Sequence, residues 1–296
     1  MRALKPQTHY LLMLLPGIAL LLIFETTPLL GSVVAFMNYF PGVPFKDQEW
    51  VGLENFRYMF QMNDSLIIFR NTIILASLKI IFNLVVPLVF ALLLNEVKNI
   101  LFKRWVQTIV YMPHFLSWVI LAGILSEILS LNGSINVVLQ WFGIDPVLFL
   151  GSNTWFPVIV VGSDVWKELG FNLVIYLAAL TGINPALYEA AEVDGATRMQ
   201  KIWNITVPGV STTVILLATL GIGNVLNAGF DQVFNLYNPA VYQTGDIIDT
   251  YVYRAGLLEM QYSLATAIGL LKSALSFILI VIAYTLANKF SDYRIF

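Results

Sequence analysis

Apolar residues run along this chain in six long stretches, residues 10–37, 71–94, 105–128, 155–180, 210–230 and 264–289, set apart by polar segments. A helix needs roughly 20 mainly apolar residues to cross a bilayer, and each stretch supplies about that length or more. The pattern predicts helices rather than strands, and six spans rather than a soluble core. The connecting segments carry turn signals. Residues 41–68 hold Gly52-Leu53-Glu54-Asn55-Phe56, which reads as a turn into a short amphipathic helix lying flat on the membrane. Residues 131–154 carry Asn132-Gly133 and Asp145-Pro146, and residues 231–263 form a Tyr- and Asn-rich loop around Asn238-Pro239. None is large enough for an independent enzyme domain, so residues 1–296 read as one all-α membrane domain.

Composition supports the bilayer as solvent. Apolar residues make up 58% and charged residues 11%, against roughly a quarter charged in soluble proteins. Arg2 and Lys5 precede the apolar run 11–24, as in a secretory leader, but no small-residue cleavage site follows and the run continues through Pro28 to Met37. It is therefore read as a first span. With both termini cytoplasmic, the inner segments hold Arg2, Lys5, Lys98, Lys103, Arg104, Arg198, Lys201, Lys289 and Arg294, while the longer outer segments hold Lys46, Arg57, Arg70 and Arg254. The positive-inside bias favours that orientation. Trp50, Trp141, Trp155, Tyr253 and Tyr262 then fall near outer span ends, where amphipathic rings favour the interface. A net charge of −2 argues against a nucleic-acid partner, and the lack of cysteine removes disulfides, thiol catalysis and cysteine metal sites.

The inner segment 184–208 is more ordered than a plain connector. Asn184 is a good N-cap, Pro185 fits the first helical position, and Gly195 supplies the left-handed residue that ends a helix. Thr197 with Gln200 makes a capping-box pattern, predicting a second short helix over 198–207. Glu189, Glu192 and Asp194 lie on the first helix, and Met199, Ile202 and Trp203 give the second an apolar face. Local rules alone leave two readings open: a hairpin packed on its own bundle, or an arm that docks a separate protein.

Glu189-Ala190-Ala191, then Asp194-Gly195-Ala196, with Trp203, Ile205 and Pro208 at fixed offsets, closely resembles the EAA loop of permease subunits of binding-protein-dependent ABC importers. The carbohydrate branch, of MalF, UgpA and LplB type, is the nearest resemblance. Weaker likeness runs through Pro16, Phe24 and Pro28, the stretch Trp50-Val51-Gly52-Leu53-Glu54-Asn55-Phe56, Leu93-Leu94-Asn95-Glu96, Pro113, and Trp166-Lys167 with Gly170-Phe171-Asn172. Two departures stand out: Ile202 occupies an often aromatic position, and the second proline common soon after Pro208 is missing. The resemblance implies a six-span bundle of the type I importer class in the bacterial cytoplasmic membrane, pairing with a second permease. It also implies two ABC ATPase subunits, met through Glu189, Ala190, Ala191, Asp194, Gly195, Ala196 and Trp203, and an external solute-binding protein delivering a carbohydrate. The chain holds no GxxxxGK[ST] sequence, so ATP and Mg are expected on the ATPases and no cofactor on this chain.

Ionisable groups within spans suggest a pathway or a buried pair. Glu25, Lys79, Asp164, Lys167, Glu168 and Lys272 qualify. Asp164 and Lys167, three apart, can pair on one helical face, which leaves a structural ion pair and a solute contact both open, and Lys79 and Lys272 are placed to snorkel or meet the second permease. Sugars are held by aromatic faces and by amide or hydroxyl groups. Trp166, Asn172 and Tyr176 in the fourth span supply that chemistry, as do Asn224, Asn227 and Asp231, placed on one face of the fifth. The competing reading of each is an interhelical hydrogen bond. An ion-coupled transporter would show internal repeats, and none is evident. A membrane enzyme would need a site, yet His9 and His114 lie in no HExxH and there is no GxSxG.

Overall fold

The computed structural model describes residues 6–290, so Arg2, Lys5 and Arg294 lie outside the described residues, as do the side chains of His9 and Lys289. Helix dominates, and the strand among the described residues is a two-residue antiparallel pair, β1 (Met37–Asn38) with β2 (Glu49–Trp50). Four helices are long and apolar enough to cross a membrane, or up to six spans if two bent helix pairs each count as one. The chain divides into two units, residues 1–63 with 251–271, and residues 64–250 with 272–296.

In the smaller unit the first span, α1 (Tyr10–Phe36), is largely unburied within the chain, as lipid-facing apolar side chains should be. Pro28 would break an ordinary helix because it lacks an N–H and crowds the preceding turn. A π-turn over Leu22–Thr26 widens the helix just before it, and the Thr27 hydroxyl donates to the Leu22 carbonyl at 2.8 Å. The span then tightens to a 3-10 turn and enters β1. The Asn55 amide ties the junction by donating to the Ala35 and Met37 carbonyls, while Phe36 stacks on Trp50. Gly52, at φ +61°, leads into the short helix Glu54–Gln61.

The larger unit is built on α2 (Asn63–Asn95), α3 (Ile100–Tyr111), α4 (Trp118–Ile128), α5 (Trp155–Thr181), α6 (Pro185–Val193), α7 (Val207–Gly223) and α8 (Phe230–Leu236). The last long helix, α9 (Tyr262–Phe290), begins in the smaller unit and ends in the larger. One core gathers Leu75, Phe156, Val160, Val233 and Ile247; a second gathers Ala91, Leu94, Leu173, Tyr176 and Val210. Helices α3 and α5 touch closely at Gly170, where a Cβ would stand 2.6 Å from the Val110 carbonyl oxygen. Small residues permit this kind of backbone approach between spans.

Three expectations are corrected. The third stretch is not one straight helix: α3 passes through a 3-10 turn at Met112–Phe115, and α4 restarts at 105° with Ser117 as its cap. Pro113 within that turn removes a backbone donor, which makes the break inexpensive there. The fifth stretch does not run helical to Phe230. It ends at Gly223, turns through Asn224–Gly229 with Gly229 at φ +88°, and begins again as α8. The second helix of the arm is not separate either. Residues Arg198–Gly223 form one span candidate, with a π-turn at Ile202–Thr206 that absorbs Pro208 as the earlier one absorbs Pro28.

Candidate functional site

The arm follows α5 at a 65° bend. Asn184 accepts from the Ala186 N–H, so α6 starts cleanly on Pro185. It ends in a Schellman closure, with the Ala196 N–H on the Ala191 carbonyl at 2.9 Å and Gly195 at φ +73°. Thr197 and Gln200 make the reciprocal capping box. Two contacts then lock α6 to the following helix: Lys201 pairs with Glu192 at 2.7 Å, and the Tyr188 and Thr206 hydroxyls lie 2.9 Å apart. The Lys201 ammonium, by hydrogen bond and charge, holds the Glu192 carboxyl below its usual range.

This bracing leaves the outer face of the arm bare. Glu189, Ala190, Asp194 and Gly195 are exposed, Ala191 and Ala196 half-buried, and Val193 is 88% exposed beside exposed Leu187, Met199 and Trp203. Ile202, by contrast, turns inward to a second cavity of about 340 Å³ with Tyr188, Glu192, Lys201 and Thr206. The apolar face expected of Met199, Ile202 and Trp203 is therefore split.

A cavity of about 340 Å³ opens between α2, α5, α7 and the turn that follows α7. Asn83, Asn172, Asn224 and Asn227 line it, together with Lys79, Asp164, Glu168, Phe171 and Gly229. The amides offer both donors and acceptors to hydroxyl groups, and Phe171 adds an aromatic ring. Of the residues expected here, Asn172, Asn224 and Asn227 are present. Trp166 faces outward at 45% exposure, and Tyr176 is fully buried, its hydroxyl donating to the Leu84 carbonyl at 3.1 Å. Asp231 is exposed on α8 and off the lining, because the turn at Gly229 takes it out of helical register with Asn224 and Asn227. Asn83 and Gly229 of the lining were not anticipated. An amide amid the apolar second stretch was the available signal for Asn83.

The intramembrane charges pair differently from their spacing. Asp164 does not pair with Lys167; it lies 3.3 Å from Lys79 and accepts from the Asn83 amide at 2.8 Å. Lys167 instead donates to the His114 and Leu116 carbonyls, at 2.7 and 2.8 Å, below the ring of Trp118. It thus satisfies orphan carbonyls at the break between α3 and α4. Lys79 does not snorkel. It is buried and donates to the Ala228 carbonyl and to Gln232 Oε1. Lys272 pairs with Asp249, both in the larger unit. His114 stacks on Phe171 and meets Glu168 at 3.1 Å, while Glu25 is exposed in the first π-turn. Among the described residues no group of His, Asp and Glu could hold a metal ion.

Comparison with known proteins accounts for the arm and the bundle together. The family model described as binding-protein-dependent transport system inner membrane component matches residues 84–292. The chain is 40% identical over 291 residues to the polygalacturonan/rhamnogalacturonan transport system permease protein YteP of Bacillus subtilis (strain 168), covering 98% of this chain and 91% of that one. It is also 40% identical over 297 residues to protein LplB of the same organism, covering 100% and 93%. A chain in the crystal structure of a bacterial ABC transporter involved in the import of the acidic polysaccharide alginate superposes with TM-score 0.89 at 39% identity, covering 96% of this chain and 97% of that one. A chain in the crystal structure of a bacterial alginate ABC transporter in complex with alginate pentasaccharide-bound periplasmic protein superposes with TM-score 0.87 at 39% identity, covering 96% of each chain. This chain therefore belongs to the binding-protein-dependent transport system inner membrane component family, as a bacterial ABC importer permease that leaves ATP hydrolysis to partner subunits.

Proposed function

We propose that this permease imports an oligosaccharide, with the amide-lined cavity as its share of the path and the 184–208 arm as the point where a partner's ATPase cycle enters. The bare outer face of the arm carries this reading. A helix capped at both ends and braced by Glu192–Lys201 and Tyr188–Thr206 is stiff enough to transmit a push, yet its outward side stays exposed among the described residues. The proposed assembly holds this chain, a second permease, two ABC ATPase subunits carrying ATP and Mg, and a solute-binding protein on the outer face. Both termini lie in the cytoplasm, and residues 1–296 form a single permease domain. ATP closure of the ATPases draws the arms together because ATP binds one state of the assembly better than the other.

The solute class follows from the relatives and the lining. Permeases for polygalacturonan and rhamnogalacturonan, for galactooligosaccharides and for arabinooligosaccharides are all similar to this chain. The cavity offers hydroxyl-binding amides and one lysine set against two carboxylates, Asp164 and Glu168. The described lining of this cavity has no surplus positive charge, so a cation meeting an acidic sugar there would come from the second permease.

Reconstitution of all the components in liposomes, with uptake of radiolabelled trigalacturonate, alginate trisaccharide and galactotriose measured, tests the proposal. ATP-dependent uptake of at least one is expected in the complete assembly and in none lacking this chain. No uptake of any of the three, with binding-protein-stimulated ATP hydrolysis intact, would refute the oligosaccharide assignment.

A further inference from the structure

Two backbone breaks fall within the apolar stretches of the larger unit, and a buried lysine closes each. At such depth water is scarce, and a carbonyl without a donor is costly. Lys167 serves the break between α3 and α4. Lys79 serves the turn between α7 and α8, and its surroundings are the more tightly determined. Its ammonium has three hydrogens, and its acceptors are the Ala228 carbonyl at 2.7 Å, Gln232 Oε1, and Asp164 at 3.3 Å. Each acceptor side chain is itself held in place. Gln232 donates to the Val160 carbonyl and Ser163 hydroxyl, and Asp164 accepts from Asn83. Directly after Ala228 the chain turns over the ammonium at Gly229, where φ is +88° and a Cβ would stand 2.8 Å from Nζ. The residues leading into that turn include Asn224 and Asn227, which line the cavity.

We infer that Lys79 is the positioning residue of the solute-facing segment 224–229. Held by Asp164 and Gln232, it fixes the Ala228 carbonyl and so sets where the Asn224 and Asn227 amides stand. Its role is not to bind solute, since its hydrogens have protein acceptors, and not only to neutralise Asp164. Those two roles separate cleanly. Replacing both charged residues removes the unpaired-charge problem but leaves the carbonyl without its donor. The inference rests on the cavity being part of the solute path.

The test uses the cysteine-free character of the chain. Asn227→Cys is introduced alone, with Lys79→Met/Asp164→Asn, and with Gly229→Ala, each in the complete importer. Its modification by a small cationic methanethiosulfonate is followed by the mass shift of this chain. The labelling rate is expected to change about five-fold or more in both altered backgrounds, as local opening or displacement would cause. In the same variants with Asn227 retained, the apparent KM for the oligosaccharide imported in reconstitution is expected to rise about five-fold, with maximal uptake within about two-fold. Labelling rates within about two-fold of the Lys79 background would overturn the positioning role. Shifted labelling with wild-type KM would overturn the solute-path reading instead, and with it the claim that the positioned segment faces solute.

Discussion

Lys167 sits between two backbone carbonyls that have no helix to turn to. Replacing it by methionine orphans both, at about 1–3 kcal/mol for each buried unsatisfied group. Lys167→Met is therefore expected to lower the thermal unfolding midpoint of the purified complex, and Lys167→Arg to recover part of the loss. An unchanged midpoint in the methionine variant would refute the capping role. Tyr176 makes the opposite case. Its ring is buried in the second core and off the cavity lining, with the hydroxyl donating to the carbonyl of Leu84, a lining residue, so Tyr176→Phe should cost about 1 kcal/mol of stability and leave the uptake KM within about two-fold. Glu192 adds a pH dependence. The Lys201 ammonium beside it favours the ionised form and holds its carboxyl below the ordinary glutamate range. A folded-state value below the unfolded one means that the pair stabilises the arm above about pH 4.5 and is lost as pH falls through the folded-state value. Hydrogen exchange over residues 185–201 should speed up between pH 6 and pH 3 beyond the intrinsic change, and Glu192→Gln should remove the excess.

The arm depends on one backbone position more than on any contact. Gly195 holds φ +73°, where a β-branched residue costs about 1–3 kcal/mol. Gly195→Val is expected to unseat the Schellman closure, leaving the protein in the membrane while transport and binding-protein-stimulated ATP hydrolysis fall together. Glu189→Lys, which reverses an exposed charge on α6, should do the same without disturbing the helix. Normal uptake in both variants would remove the arm from the coupling route. These caps were legible because Asn184-Pro185, Gly195 and Thr197 to Gln200 are local rules, satisfied within one turn of chain. The breaks were not. Pro113 and the Asn224–Gly229 turn carry weak breaker signals inside strongly apolar runs, and hydropathy averages over them. Whether an apolar run bends depends on what can donate to its freed carbonyls, and the donors, Lys79 and Lys167, lie far away in sequence.

For the whole molecule, the family and the bundle follow from features that need no tertiary contact. Long apolar runs with few charges have one stable solvent, the bilayer, and the ordered Glu189-Ala190-Ala191 to Gly195 pattern with no P-loop points to a subunit driven by other chains. Pairing was another matter. Three-residue spacing joined Asp164 to Lys167, yet Asp164 faces α2 and meets Lys79 while Lys167 reaches the α3–α4 break. Tyr176 and Asn172 lie four apart on the same helix, and the structure buries one in a core and opens the other to the cavity. The sequence by itself determined the solvent, the helices and the capped arm, because each depends on neighbours a few residues along the chain. Only the tertiary structure decided which charges meet, where the spans break and which amides face a cavity, because these depend on which helices pack together and where a buried ammonium finds its acceptors.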